Sequence, residues 1–196
     1  MNRNFMIRIF FVIIFINAFA IGGQSQEWKS RKDWPAEFPR PSLTKKRLFY
    51  LQRNLNKNTI VYDVNLSEDG KINSRKPIDV YWMRYGDNEE GTRKGLSWIQ
   101  RKFAYGYKSK AHEKRQENQG HAFIIKLVAY GKRNIDLEEI GKGEYRALMQ
   151  IDGKRCQLTH IYVYADESGF WPDVLHVDIF GKDLENGKQV RERILN

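Results

Sequence analysis

Cysteine is nearly absent from this chain: Cys156 is the only one among 196 residues, so an internal disulfide is excluded. The common catalytic signatures are absent too, including G-x-S-x-G, H-E-x-x-H, C-x-x-C, the Walker phosphate loop and G-x-G-x-x-G. No motif therefore assigns the chain to a hydrolase, nucleotide-binding or redox class. Cys156 stands early in a strand-like run, which predicts a small buried residue rather than a nucleophile.

Apolar runs long enough to cross a membrane are also lacking, and the longest, residues 9–21, is interrupted by Asn17. This run follows a positively charged start and ends in Ala-Phe-Ala, the small-x-small pattern that signal peptidase recognises. We expect residues 1–20 to form a signal peptide that is cleaved after Ala20 or, alternatively, after Gly23. The expected location is therefore exported, either periplasmic or extracellular, with no membrane span after cleavage.

Acidic residues are too few to balance the basic ones. The chain has 34 Lys and Arg against 24 Asp and Glu, and its net charge of +10 falls to +8 once the two arginines of the signal peptide are removed. Such a charge predicts an anionic partner, and for an exported protein this is an anionic glycan or a lipid surface. Nucleic acid is not an expected partner. Alternatively, the charge belongs to a solvated face and binds nothing.

The exported chain divides into an arm and a body. Residues 21–46 are polar and rich in proline, with no strand or helix period, and predict an irregular N-terminal arm. Its segment "WPAEFPRP" is expected to dock back on the body through Trp34 and Phe38. Residues 47–196 are predicted to form a single β-rich domain.

The body contains eight runs rich in Val, Ile, Tyr and Phe, which are typical of pleated, half-buried strands. Asp-Gly or Asn-Gly pairs at 69–70, 152–153 and 186–187 suit tight turns, and short connections favour antiparallel pairing. Several runs are apolar on both faces, so both faces must be covered. We therefore predict an all-β fold, a mainly antiparallel β-sandwich or a barrel-like meander. The predicted strands are Leu48–Arg53, Thr59–Asn65, Ile78–Tyr85, Ala122–Tyr130, Glu144–Ile151, Gln157–Ala165, Val174–Phe180 and Gln189–Ile194.

One segment departs from the strand pattern. Leu96, Ile99 and Phe103 fall at i, i+3 and i+7, which predicts one short helix near residues 96–103 with these side chains against the sheet. The following segment, Lys108–Gly120, has almost no apolar residues and predicts a long exposed loop.

Two runs near the C-terminus bring polar side chains onto a common face. If residues 166–173 connect two antiparallel strands, then Ile161, Val163, Leu175, Val177 and Ile179 point inward. His160, His176 and Asp178 then share the other face. Two histidines and a carboxylate can bind a metal or act as acid and base, so this set is an alternative catalytic site. The competing interpretation is an ordinary solvated face with cross-strand pairs.

A second candidate site surrounds the predicted helix, where cations alternate with aromatic rings. Cations beside aromatics suit anionic sugars or lipid head groups, although a solvated helix needs no ligand. The candidate ligand-binding residues are Arg93, Lys94, Trp98, Arg101, Lys102, Tyr105, Tyr107, Lys108 and Lys110.

Three stretches, "FPRPSLTKKRLFYLQRNLNKNTIVYDVN", "PIDVYWMRY" and "IQRKFAYGY", resemble an uncharacterised secreted family known as domain of unknown function 4833. The resemblance extends from about Phe38 to the C-terminus. It implies a small exported domain, and it transfers no activity, cofactor, metal or catalytic residue.

Three functional hypotheses follow. The first is a non-enzymatic exported β-domain that binds an anionic or amphiphilic component of the cell envelope, without a metal or cofactor. The second is a metal-dependent or acid–base hydrolase that uses His160, His176 and Asp178. The third is a carrier of a small apolar ligand, because several strands are apolar on both faces.

Overall fold

A computed structural model describes residues 39–54, 56–85, 91–112, 121–166 and 173–195. The predicted signal peptide, arm residues 21–38 with Trp34 and Phe38, and residues 113–120 of the predicted loop lie outside these ranges. The strands are β1 (Arg47–Arg53), β2 (Asn56–Val64), β3 (Ile78–Arg84), β4 (Thr92–Gly95), β5 (Tyr107–Ala111), β6 (His121–Leu127), β7 (Ile135–Gly141), β8 (Glu144–Ile151), β9 (Lys154–Asp166), β10 (Asp173–Asp183) and β11 (Gln189–Leu195). Helix α1 (Trp98–Gln100) continues directly into a π-helical turn (Arg101–Tyr105).

The predicted fold class is confirmed: over the described residues the protein is mostly β with one short helix. All eight predicted strands are present, and three more, β4, β5 and β7, were not predicted. The sequences of β4, TRKG, and β5, YKSKA, are polar and almost wholly exposed, so they lack the apolar alternation of a half-buried strand. The expectation of a loop from Lys108 was therefore wrong as far as Ala111, because pairing with β6 makes this polar segment a strand.

The strands form one large sheet of mixed, mostly antiparallel pairing that branches at β9. Its order is β4-β3-β2-β1-β9-β8-β7-β6-β5, with β10 and β11 added beside β9. The first residues of β9 pair with β8, whereas His160–Val163 pair in parallel with β1. The other edge of β9 pairs with β10 along nearly its whole length. The long β9 thus connects two halves of the sheet, a first half with β1–β4 and a second half with β5–β8.

One hydrophobic core lies between the two halves. It joins residues of β1–β3 to residues of β6–β9, and its largest fully buried side chains include Tyr62, Phe49 and Met149. The ring of Phe49 stacks on Tyr62 at 4.4 Å between centroids. Cys156 is fully buried in the same core, as predicted, and burial raises the pKa of its thiol. These residues form the packed core of the described part of the chain.

A second, smaller cluster covers the opposite face of the first half. Tyr50, Val61 and Tyr81 lie directly across from one another on β1, β2 and β3, with Met83 beside them. These strands are therefore apolar on both faces, as the sequence indicates. We call the side of β1–β3 and β9–β11 that points away from the main core the outer face.

The turn between β8 and β9 shows why the Asp-Gly pair predicts a hairpin. Ile151 pairs with Lys154, which leaves a two-residue turn in which Asp152 has φ 48° and Gly153 has φ 74°. Two positive φ angles match the right-handed twist of the flanking strands, and glycine adopts such an angle without steric strain. The local sequence therefore determines this turn.

Helix α1 starts two residues later than predicted. Ser97 accepts a hydrogen bond from the Gln100 backbone, and the Gln100 side chain accepts one from the Ser97 N–H, which forms a capping box. Leu96 is buried just before the helix, whereas Ile99 is 36% exposed. The expected inward position of Ile99 is therefore wrong, because the π-helical turn shifts the buried side to Ala104 and Tyr105.

The predicted pairing of β9 with β10 is confirmed, but one of its core residues was wrong. Ile161 and Ile179 are buried, and Val163 and Val177 pack against the core. Leu175 is 43% exposed because the register with β9 shifts between Val174 and His176, so Leu175 lies in a β-bulge.

This difference predicts unequal effects for two truncations in the same strand. Val177→Ala should lower the free energy of unfolding by about 1–2 kcal/mol, because it removes methyl groups packed against the core. Leu175→Ala should change it by less than about 0.5 kcal/mol. Urea titration of both variants measures the difference, and equal effects would show that the register of β10 is misplaced.

Among the residues that the structure describes, no helix has the length and apolar character that a membrane span requires.

Candidate functional site

A row of stacked rings crosses the outer face at the junction of the two sheet halves. His160 of β9 lies between Tyr50 of β1, at 5.1 Å between centroids, and Phe180 of β10, at 4.2 Å. The rings of both pairs are nearly parallel, with interplanar angles of 10° and 6°. At one end of the row the Arg191 guanidinium lies 5.6 Å from the Phe180 ring centre. Elsewhere on the outer face Arg93 stacks 3.8 Å from the ring centre of Tyr81.

A buried carboxylate, Asp178, and two arginines lie on the same face, two residues before Phe180 along β10. Asp178 is 1% exposed and accepts hydrogen bonds from Arg191 at 2.7 Å and from Arg193 at 2.8 and 2.9 Å. Burial would raise the pKa of Asp178, but the hydrogen bonds from Arg193 and Arg191 outweigh burial and hold that pKa below its ordinary value. Its charge is therefore neutralised by two permanent cations within the fold.

His176 lies near this carboxylate, but His160 does not. His176 Nε2 is 3.7 Å from Asp178 Oδ2, and its ring stacks on Tyr164. His160 is paired with Phe180 on β10, four residues from His176, which corresponds to about 13 Å along a strand. The structure thus brings together two members of the predicted catalytic set and separates the third.

The electrostatics of the two histidines favour the neutral form. Burial, with a smaller contribution from Arg40, lowers the pKa of His160 to about 4. Burial and Arg193 lower the pKa of His176, and Asp178 offsets only part of this. In the described parts of the chain, no group of three or more His, Cys, Asp or Glu side chains is arranged to hold a metal ion.

The described end of the arm reaches the outer face. The buried Gln52 side chain donates a hydrogen bond to the Pro39 carbonyl at 2.9 Å, and Pro41 is buried. Asn54 extends the β1–β9 ladder with its side chain, which donates to the Ala165 carbonyl at 2.5 Å and accepts from its N–H at 2.8 Å. The polar hairpin after β1 therefore holds the parallel strand in place.

The second candidate site is an exposed group of rings and cations on the helix. Trp98 is 67% exposed, and the Lys102 ammonium lies 4.7 Å from its ring centre and 5.2 Å from that of Phe103. The two rings meet edge to face at 6.1 Å. Arg101 is exposed, and its guanidinium extends towards Gly95 of β4. We call this group, Lys94, Trp98, Ile99, Arg101, Lys102 and Phe103, the helix surface.

The remaining predicted ligand residues are divided by the fold. Arg93 is exposed on β4 but forms an ion pair with Asp79. Tyr105 is buried and packs against Trp82, and the Tyr107 hydroxyl bonds both backbone groups of Ile78 on β3. These two tyrosines therefore serve the core rather than the helix surface.

Lys108 and Lys110 lie on the exposed side of β5, beyond the helix. They alternate with Tyr107, which points to the core, and Lys108 is directly opposite Lys126 of β6. They therefore lie on a strand of the other sheet half rather than on the helix.

Sequence reasoning missed Arg191 and Arg193. They occupy alternate positions of β11, and their acidic partner, Asp178, lies on β10. The register that brings the two strands together is not a local property of the sequence. The capping box at Ser97 and Gln100 was readable as S-x-x-Q and would have placed the helix start correctly.

The fold and these two surfaces define a mostly β domain with an exposed basic and aromatic helix. The chain belongs to the family described as a domain of unknown function (DUF4833), whose model matches residues 49–193. The resemblance seen in the sequence is therefore confirmed. No curated protein and no solved structure matches the chain.

Proposed function

We propose that this protein is an exported, non-enzymatic binding domain, and that its helix surface binds an anionic, amphiphilic component of the cell envelope. The exported location rests on the N-terminal pattern of a charged start, a short apolar run and Ala-Phe-Ala. The binding role rests on the helix surface.

The observation that carries the proposal is the exposure of Trp98 beneath a lysine. A tryptophan is usually largely buried, whereas this ring is two-thirds exposed with the Lys102 ammonium over it. An exposed ring and a cation on one small surface offer both apolar contact and charge. This combination matches a ligand that has an apolar part next to an anionic group.

The charge around the helix supports the same conclusion. The helix surface itself carries three cations, Lys94, Arg101 and Lys102, and no Asp or Glu. Lys94, Arg101 and Lys102 are exposed, so their charges are accessible to an anion from solution. At about 0.15 M salt the screening length is about 8 Å, so only an anion that closely approaches these side chains is attracted.

Reversing two cations of the helix surface tests this function. Arg101→Glu with Lys102→Glu should weaken binding to anionic vesicles or to dextran sulfate about tenfold or more, because each basic residue near an anionic surface contributes roughly 1 kcal/mol. Binding of the unchanged protein should also weaken as salt rises. Vesicle co-sedimentation and titration with fluorescent dextran sulfate measure both effects.

The matched control is Lys142→Glu with Lys188→Glu, which changes the net charge equally at two exposed positions in other hairpins. This control should retain most of the binding, since the effect belongs to one surface rather than to net charge. Equal losses in the two double variants, or no binding by the unchanged protein at low salt, would contradict the proposal.

A further inference from the structure

We propose that the partner of the helix surface is an anionic lipid bilayer, with Trp98 and Ile99 inserted at the boundary between head groups and acyl chains. This inference rests on the proposed binding function and names its partner. It requires an apolar tip, cations placed beside that tip, and few free polar groups that would suit another ligand.

The apolar tip is formed by two neighbouring residues in the first turn of the helix. Trp98 is 67% and Ile99 36% exposed, and the Phe103 and indole rings meet edge to face. Tryptophan is enriched at membrane–water interfaces because its ring is apolar and its N–H is polar. An interfacial helix buries its apolar side about 5–10 Å deep, at the boundary between head groups and acyl chains.

The cations lie where head groups would meet such a helix. Lys102 contacts both aromatic rings, and the Arg101 guanidinium lies beside Gly95 of the adjacent strand. Lys94, on that strand, is also exposed. Basic side chains that flank an inserted tryptophan combine attraction to anionic lipids with apolar burial.

The neutral polar groups of this surface favour lipid over glycan. The Gln100 side-chain oxygen accepts hydrogen bonds from the Ser97 N–H at 2.9 Å and from the Trp82 indole at 3.4 Å. The Ser97 hydroxyl accepts one from the Gln100 N–H. The Gln100 and Ser97 side-chain oxygens are thus used as acceptors in and around the helix cap, which leaves fewer acceptors for the many hydroxyl donors of a sugar polymer. Ile99 offers only apolar contact.

The test uses protein purified from cells that express the full chain, and vesicles of phosphatidylcholine with or without phosphatidylglycerol. The expected results are binding to the anionic vesicles and quenching of tryptophan fluorescence by lipids brominated near the head-group boundary. Trp98→Phe should keep most of the binding but lose this quenching, which separates Trp98 from the other four tryptophans of the chain.

Trp98→Ser should weaken vesicle binding about tenfold, because it removes the buried indole area, and should leave binding to dextran sulfate unchanged. Since all variants share the same N-terminal residues, any contribution from the leader cancels. Binding to dextran sulfate without binding to vesicles, vesicle binding that is equal in Trp98→Ser, or quenching that persists in Trp98→Phe overturns the insertion of Trp98 into a bilayer. Binding of an anion through the cations of the helix surface would still stand. Binding to neither probe overturns both.

Discussion

Gly106→Ala should lower the free energy of unfolding by about 3 kcal/mol or more, although it adds only one methyl group. Gly106 follows the π-helical turn, and a Cβ atom there would overlap the Arg101 carbonyl oxygen and lie 2.8 Å from its carbon. Both atoms belong to the backbone, so no flexible side chain can move aside.

The backbone around this glycine is also held from several sides. The Gly106 carbonyl accepts a hydrogen bond from Val128 at 2.9 Å, and the preceding Tyr105 carbonyl accepts one from the buried Tyr62 hydroxyl at 2.9 Å. Relief of the clash would therefore break at least one buried hydrogen bond. We expect the variant to lose stability and to displace the helix surface together with the turn.

Gly131→Ala is the matched control for this substitution. Its added Cβ would lie 3.7 Å from the Leu127 carbonyl oxygen, an ordinary contact, and its φ is not positive. We expect a change below about 0.5 kcal/mol in urea titration. Similar midpoints for the two variants would mean that the π-helical turn relaxes without loss of contacts.

The second large effect concerns pH and His160. The free energy of unfolding should fall by about 2–3 kcal/mol between pH 7 and about pH 4.5 through this histidine alone. Its folded pKa is about 4, whereas an unfolded histidine has a pKa of about 6.5. The unfolded chain therefore takes up a proton in this interval and the folded chain does not, so stability is complete above the unfolded pKa and is lost as the pH falls.

The cause of this shift is visible in the contacts of the ring. His160 is stacked between Tyr50 and Phe180, and its Nδ1 lies 3.1 Å from the Thr159 hydroxyl oxygen. The Thr159 hydroxyl donates to the Phe180 carbonyl, so Nδ1–H acts as the donor to Thr159 and, in the neutral ring, Nε2 carries no proton. A second proton would place a charge between two rings, near the cation of Arg40.

His160→Phe isolates the effect, because it keeps the stacked ring and removes the titration. Urea unfolding at both pH values should show a smaller pH dependence in the variant, by about 2–3 kcal/mol. His176 titrates in both proteins and cancels in the comparison. Asp178 contributes little to the difference, since its pKa is held below its ordinary value and it stays ionised at about pH 4.5. The same pH dependence in both proteins would contradict a buried, neutral His160.

Local sequence determined most of the elements of this protein. Alternating Val, Ile and aromatic residues produced the eight predicted strands, because side chains of a strand alternate between its faces. The Asp152-Gly153 pair determined a two-residue turn through its positive φ angles. Ser97 and Gln100 determined where the helix begins, since the side chain of each accepts a hydrogen bond from the backbone N–H of the other. The excess of basic residues around the helix is likewise a property of the sequence alone.

The tertiary structure decided which residues meet. β4 and β5 are strands because neighbouring strands pair with them, although their own residues are polar. The parallel pairing of β1 with β9 joins residues more than a hundred positions apart, and it places His160 beside Tyr50 rather than near His176. A single β-bulge turned Leu175 outward, and a π-helical turn left Ile99 at the surface. Register, bulges and helix phase depend on long-range pairing and packing, so one residue of shift reverses a side chain's face without any change in local pattern.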